Sequence, residues 1–230
     1  MDQGRLYVVS TPIGNLNDMT FRAVEVLKSA DLIAAEDTRH TGILLKHYAI
    51  ETKQIAYHDF NKEKITPRII EQLRDGSKVA IVSDAGTPGI SDPGFYLVRE
   101  CLRNNIAVEP VPGASAMLAA LVISGLPTDR FCFEGFLPKT SGKLNVRLAE
   151  LKDEKRTLIF FESPHRLLKT MTAMLEAFGD RPAFIGRELT KKFEQHYRFR
   201  LSELIAIFQS NPPKGEVVLV VAGYRNNFDA

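Results

Sequence analysis

The run Val82-Ser83-Asp84-Ala85-Gly86-Thr87-Pro88-Gly89-Ile90-Ser91-Asp92-Pro93-Gly94 carries the densest chemical potential in the chain. Its glycines and prolines alternate with Asp84, Thr87, Ser91 and Asp92, and it directly follows the apolar residues 79–82. In an open α/β sheet ligands sit beyond the carboxyl ends of strands, where small residues let main-chain amides come close to a cofactor. A purely structural double turn is the competing reading, because Pro-Gly pairs also punctuate chains. Pro112-Gly113-Ala114-Ser115-Ala116 offers a second close approach at a helix start, with Ser115 able to donate or accept. Ser10-Thr11-Pro12-Ile13-Gly14-Asn15 occupies the place of a phosphate loop but lacks the G-x-G-x-x-G pattern. These loops suit a nucleoside-like ligand; residue chemistry leaves adenosylmethionine, a nucleotide and a dinucleotide all open.

Proton handling falls to Glu36, Asp37, His58 and His165, with Glu162 a further possibility. Either Asp37 or Thr38 is expected to cap a helix that follows the second strand. Arg39, Arg166 and Arg187 keep their charge at neutral pH and suit phosphate better than proton transfer. Lys139, Lys143, Arg147, Lys152, Lys155 and Arg156 add a basic segment, and Lys191 follows Arg187 closely. Solvated helix faces and simple ion pairs are the plain alternative for all of these.

The elements that must position these groups alternate in βα order. Strands are expected at 6–10, 31–36, around 53–59 and 78–84, and helices near 20–29, 39–48, from Thr66-Pro67 onward and from Phe95 toward Asn104. Near-continuous apolar runs such as residues 79–82 predict strands covered on both faces. Residues 111–129 read as a bridge. Beyond it come strands around 131–136, 156–163, 182–189 and 216–224, and helices near 144–153 and from Pro164 into Phe178. EQHYRFR and NPPKGE read as loops of an antiparallel or mixed second sheet. Two α/β lobes with a cleft between them follow, residues 1–118 and 119–230.

The 230 residues exclude a disulfide-stapled miniprotein and a large multidomain machine. Thirty basic and 28 acidic residues give +2, far from the field of a basic RNA-binding tail. The balance is uneven: residues 1–120 hold 13 basic and 15 acidic residues (net −2), and 121–230 hold 17 and 13 (net +4), so a phosphate-rich partner would meet the second half more strongly. Cys101 and Cys132 lack metal or disulfide spacing and are expected to be buried small hydrophobes. No apolar run approaches the roughly 18 residues of a membrane span, and a reducing cytoplasm is the expected location.

Taken in order, STPIGNLND at 10–18, AEDTRHT at 35–41, SDAGTPGISDPG at 83–94, PGASA at 112–116, SGLPTDRF at 124–131, GFLP at 135–138, FESPHRLL at 161–168, RELTKKFE at 187–194 and GEVVLVV at 215–221 resemble the bacterial ribosomal small-subunit methyltransferase I family, a branch of the tetrapyrrole methylase-like fold. The resemblance covers nearly the whole chain. It implies a two-lobed α/β fold with S-adenosyl-L-methionine in the interlobe cleft, no metal, a homodimer, and 2′-O-methylation of a cytidine in the 16S rRNA of the small ribosomal subunit. By the same resemblance Pro12, Asp84, Ala85, Gly86, Thr87, Ser115 and Ala116 are first-lobe cofactor contacts, and Phe161, Leu189 and Gly215 second-lobe contacts. Arg39, Lys139, Arg166, Arg187 and Lys191 become RNA contacts. Two departures stand out: Ala114 where the family often has proline, and no sign of the C-terminal helical segment of roughly fifty residues that members usually carry. Methylation of a tetrapyrrole-like small molecule, or a noncatalytic ribosome-assembly role, are the competing readings.

Overall fold

Along Leu32–Ala35 every residue is buried, and alternate side chains leave on opposite faces of the sheet. Leu32 and Ala34 join one apolar cluster, Ile33 and Ala35 another. This double burial is what the continuous apolar runs encode. The computed structural model describes residues 4–224, which divide into two units, Met1–Ser115 and Ala116–Ala230. The division falls three residues before the one expected from sequence, because Ala116 opens a helix that packs on the second sheet and belongs with it.

The first unit runs β1 (Arg5–Val9), α1 (Phe21–Ser29), β2 (Leu32–Ala35), α2 (Thr38–His47), β3 (Gln54–Ala56), α3 (Lys62–Arg74), β4 (Lys78–Val82), α4 (Gly94–Arg103) and β5 (Ala107–Val111). Its five strands are parallel in the order β3-β2-β4-β1-β5. Helices α3 and α4 cover one face through Ile69, Leu73, Leu97 and Cys101, and α1 and α2 the other through Ala23, Leu27 and Leu45. Helix α3 starts four residues earlier than the Thr66-Pro67 pair suggests, with Pro67 inside it. Asn61 is the N-cap residue, and its side chain ties the preceding turn, accepting from the His58 N–H and donating to the Ala56 carbonyl. The Thr66 hydroxyl, free of capping, instead meets the buried Tyr57 hydroxyl at 3.0 Å.

The second unit runs α5 (Ala116–Ile123), β6 (Phe131–Phe136), α6 (Ser141–Leu151), β7 (Thr157–Glu162), α7 (Pro164–Phe178), β8 (Pro182–Arg187), β9 (Gln195–Arg200), α8 (Leu201–Ser210) and β10 (Val217–Val221). The sheet is mixed, in the order β6-β7-β10-β8-β9, with only β6 and β7 parallel. Helices α6, α7 and α8 bury its one face around Leu158, Phe160, Ile185 and Leu219. The segment EQHYRFR is not a loop but contributes the edge strand β9: it pairs with β8 on one side, and its largely exposed, charged composition suits an unpaired other side. Cys101 is buried, its thiol pushed up to about 12 by that burial, whereas Cys132 is only half-buried, 3.8 Å from Glu154 Oε2.

Candidate functional site

In the first sheet the connection leaving β1 crosses one face through α1, and that leaving the neighbouring β4 crosses the opposite face through α4. Adjacent strands whose connections diverge leave a crevice at their carboxyl ends, the ligand position of open α/β sheets. The loops bordering this crevice are residues 10–15 after β1 and 82–94 after β4. Thr11 and Gly86 form an isolated two-residue bridge across them. Ser10 Oγ lies 2.9 Å from Thr87 Oγ1, and the Thr87 hydroxyl also donates to the Ala114 carbonyl at 3.3 Å. The Ser10 N–H reaches the Val111 carbonyl, so the loops after β1, β4 and β5 are knit together. Gly86 has φ +80°, the left-handed region that favours glycine. Pro12 is buried beside it, while Ala85 is exposed and Ser115 and Ala116 are half-buried.

Glu36 stands at the end of β2, where its Oε2 accepts the Asp84 N–H at 3.3 Å. Asp84 in turn accepts the Asp37 N–H on Oδ1 at 3.0 Å, and its second oxygen has no protein donor among the described residues. Burial raises the Glu36 carboxyl above its ordinary range; the Asp84 N–H pulls it down, and the charges of Asp84, Asp92 and Asp59 push it up. Asp37 behaves oppositely. It caps α2 by accepting the Arg39 N–H at 2.8 Å and pairs with the Arg39 guanidinium, which holds it well below the usual carboxylate range. A carboxylate so engaged is a poor proton acceptor. His58 lies directly beyond β3, with its ring Nδ1 buried and without a hydrogen-bond partner. His165 is exposed at the start of α7. Asp92 belongs to the loop after β4 and Asp59 follows His58; the charges of both reach Glu36 because β3, β2 and β4 lie side by side in the sheet.

In the second unit Phe161, Val218 and Gly186 form one row across β7, β10 and β8. Leu189 folds back over Gly186, whose Cβ, were it present, would lie 3.0 Å from Leu189 Cδ2. Phe161 and Leu189 therefore share one face of the sheet. The Phe161 ring packs edge-on against Phe133 and Phe136, at 4.9 and 5.7 Å. Gly215 enters β10 at φ +84°, pressed against the Glu188 side chain. Glu188 Oε1 accepts the Glu216 N–H at 2.9 Å and receives Lys191 Nζ at 3.1 Å. For Lys191 burial works against the charged form, but Glu216 and Glu188 outweigh it and raise its pKa.

The basic candidates separate by what already holds them. Arg39 is 90% exposed, tied only to Asp37, and Lys139 is exposed. Arg166 donates to the carbonyls of Leu137 and Pro138 at 3.0 and 2.9 Å and faces the buried Glu162 at 3.6 Å. Arg187 donates to the carbonyls of Lys214 and Phe193 and to Gln195 Oε1. The guanidiniums of Arg166 and Arg187 thus fasten loops to their sheet. Among the described residues no group of three or more His, Cys, Asp or Glu side chains could hold a metal ion, and no helix is long and apolar enough to cross a membrane.

Residues 5–205 match the family model of the Tetrapyrrole (Corrin/Porphyrin) Methylases. A Ribosomal RNA small subunit methyltransferase I of Synechocystis is 55% identical over 96% of the chain and 79% of its own length. That of Thermotoga maritima is 48% identical over 96% of the chain and 99% of its own length, so a relative of nearly the same extent exists beside the longer ones. Among solved structures, a cobalt precorrin-4 methyltransferase superposes with TM-score 0.71 at 18% identity, covering 95% of this chain and 94% of that one. A uroporphyrin-III-C-methyltransferase of Thermus thermophilus superposes with TM-score 0.68 at 23% identity over the same shares.

Proposed function

Because the chain belongs to the tetrapyrrole methylases and, within them, to the ribosomal RNA small subunit methyltransferase I family, we propose that it methylates the 2′-hydroxyl of a cytidine in 16S rRNA, using S-adenosyl-L-methionine and acting on the small ribosomal subunit. The observation that carries this reading is identity of about half over 96% of the chain to several ribosomal RNA methyltransferases. The tetrapyrrole alternative rests on fold likeness at 18–23% identity.

The residues fit the methyl donor. Three loops of small residues meet at the switch point, and Asp84 keeps one carboxylate oxygen for an ammonium or hydroxyl donor. When bound, the donor supplies an activated methyl group, so neither a covalent enzyme intermediate nor a metal is required. The donor contacts proposed in the first unit are Pro12, Asp84, Ala85, Gly86, Thr87 and Ser115, and those proposed in the second are Ala116, Phe161, Leu189 and Gly215. Glu36 takes the proton of the ribose hydroxyl, because burial and acidic neighbours make its carboxylate more basic than that of Asp37. His58 and His165 are the remaining proton acceptors. Arg39, Lys139 and Lys191 meet RNA phosphates; Arg166 and Arg187 act chiefly by holding their loops. A homodimer in the cytoplasm completes the reading.

Transfer of labelled methyl from S-adenosylmethionine to purified small subunits, free 16S rRNA and a tetrapyrrole acceptor tests it. Label on a cytidine ribose of the subunit is expected. Label on the tetrapyrrole alone, or on no acceptor despite cofactor binding, overturns it.

A further inference from the structure

Just beyond β3, next to Glu36, the chain exposes flat apolar rings where solvent would normally be met by charge. The Tyr57 N–H donates to the Ala35 carbonyl at 2.7 Å, so His58 and the two residues after it emerge beside the end of β2. Phe60 is 98% exposed there, and Phe95, at the start of α4, is 62% exposed. The His58 ring stands 6.1 Å from that of Phe60. Lys62 Nζ lies 5.7 Å from the Tyr96 ring centroid, and the Arg99 guanidinium lies 4.9 Å from Tyr96 and 5.8 Å from Phe95. The two cations thus join the α3 and α4 starts into one surface. Lys62 pairs with Asp59 and Arg99 with Glu100, but both pairs reach solvent, where such contacts are weak and a phosphate can replace the carboxylate.

Two phenylalanine rings left in water carry a cost that cover by a partner would recover. We propose that Phe60 and Phe95, with Lys62 and Arg99, form a stacking shelf for single-stranded RNA beside Glu36. The proposal rests on the ribosomal RNA reading above and adds where the nucleotides flanking the target bind. Unpaired bases present the faces that aromatic side chains stack on, and cations beside those rings meet the intervening phosphates. A duplex hides its base faces and offers the shelf only phosphates. Recognition of this kind tolerates sequence and selects for an unstacked strand, as a 2′-hydroxyl must be reachable from one side.

The test uses the full chain with Phe60→Ala/Phe95→Ala, Phe60→Leu and Phe60→Trp. Affinity for a labelled single-stranded RNA oligonucleotide and for its duplex is read by fluorescence anisotropy, cofactor affinity by calorimetry, and assembly by sedimentation. The double alanine variant is expected to bind the single strand at least about thirty-fold more weakly, since each of the two stacked bases contributes roughly 1–3 kcal/mol. Its cofactor affinity should be unchanged; Trp should retain binding and Leu, equally apolar, should not. Unchanged single-strand affinity in the double variant, or Leu equal to Phe, overturns the shelf. So does a loss of self-association with RNA affinity intact, which assigns the face to a second copy of the chain. Failure of the functional reading is separate: the wild type then labels no small subunit, whereas the shelf is judged on the oligonucleotide.

Discussion

Thr11 and Gly86 exchange both main-chain hydrogen bonds, Thr11 N–H to the Gly86 carbonyl at 2.8 Å and Gly86 N–H to the Thr11 carbonyl at 3.0 Å. Two loops separated by most of the first unit thereby move as one piece. The geometry depends on Gly86 at φ +80°, where a β-branched residue is a steric outlier. Gly86→Val is expected to lower S-adenosylmethionine affinity at least about ten-fold, from backbone strain of roughly 1–2 kcal/mol plus the misplaced loop. Calorimetric titration beside circular dichroism checks this; full affinity in a folded variant refutes the placement of the donor at these loops.

Glu36→Gln separates chemistry from stability. As proton acceptor, Glu36 should be worth about 10²–10⁴-fold in methyl transfer. Its folded-state pKa is raised, so the folded protein holds that proton more tightly than the unfolded chain. Stability therefore falls as pH rises from the unfolded carboxyl value through the raised one, and the penalty is absent at lower pH. The glutamine, which still accepts the Asp84 N–H, should melt higher than wild type at pH 7 and equally at about pH 4. Thermal melts at the two pH values decide; a lower melting point at pH 7 contradicts the burial argument.

Arg39 and Arg166 should fail differently. Arg39→Ala removes an exposed guanidinium and should leave the melting temperature unchanged. It should weaken small-subunit binding and reduce the salt slope by about 0.7–1. Arg166→Ala strips donors from the Leu137 and Pro138 carbonyls and a cation from buried Glu162, costing about 1–3 kcal/mol and several degrees of melting temperature. Equal losses of stability in the two variants would show that the guanidiniums do not divide in this way.

Gly215→Ala would place a Cβ 2.4 Å from Glu188 Cδ, at a backbone angle alanine resists. Glu188 cannot swing away without giving up the Glu216 N–H and Lys191. A loss of about 1–3 kcal/mol in denaturant unfolding is expected. A neutral result would mean that Glu188 repacks freely.

Much of the βα order of the first unit was legible because β2 and β4 bury both faces and announce themselves as unbroken apolar runs, whereas β5 escaped because Glu109 and Pro110 interrupt its apolar pattern. The site loops were legible for a related reason: glycine and proline cluster where the main chain turns tightly after such a run. What escaped was set by tertiary contact. Thr66-Pro67 has the residue types of a helix entry, but the helix begins at Lys62 and the Thr66 hydroxyl is taken by buried Tyr57. Gln195–Arg200 alternates Tyr197 and Phe199 with His196, Arg198 and Arg200, a pattern too short and too polar to announce a strand without the edge that β8 offers it. The exposed arginines and the loop-fastening ones share motifs of the same appearance, and only the carbonyls facing Arg166 and Arg187 separate them.

The strand order also fixes when each sheet can close during synthesis. β1 is the first strand made, yet it lies between β4 and β5, so both its edges wait. At about 5–20 residues per second, the roughly seventy residues separating β1 from β4 occupy several seconds on the ribosome. The second unit inverts this schedule: its central strand, β10, is made last and must enter between β7 and β8, which have no other pairing with each other. A nascent chain stopped before residue 217 would hold two half-sheets with facing open edges, the form most exposed to a holdase or to a neighbouring nascent chain.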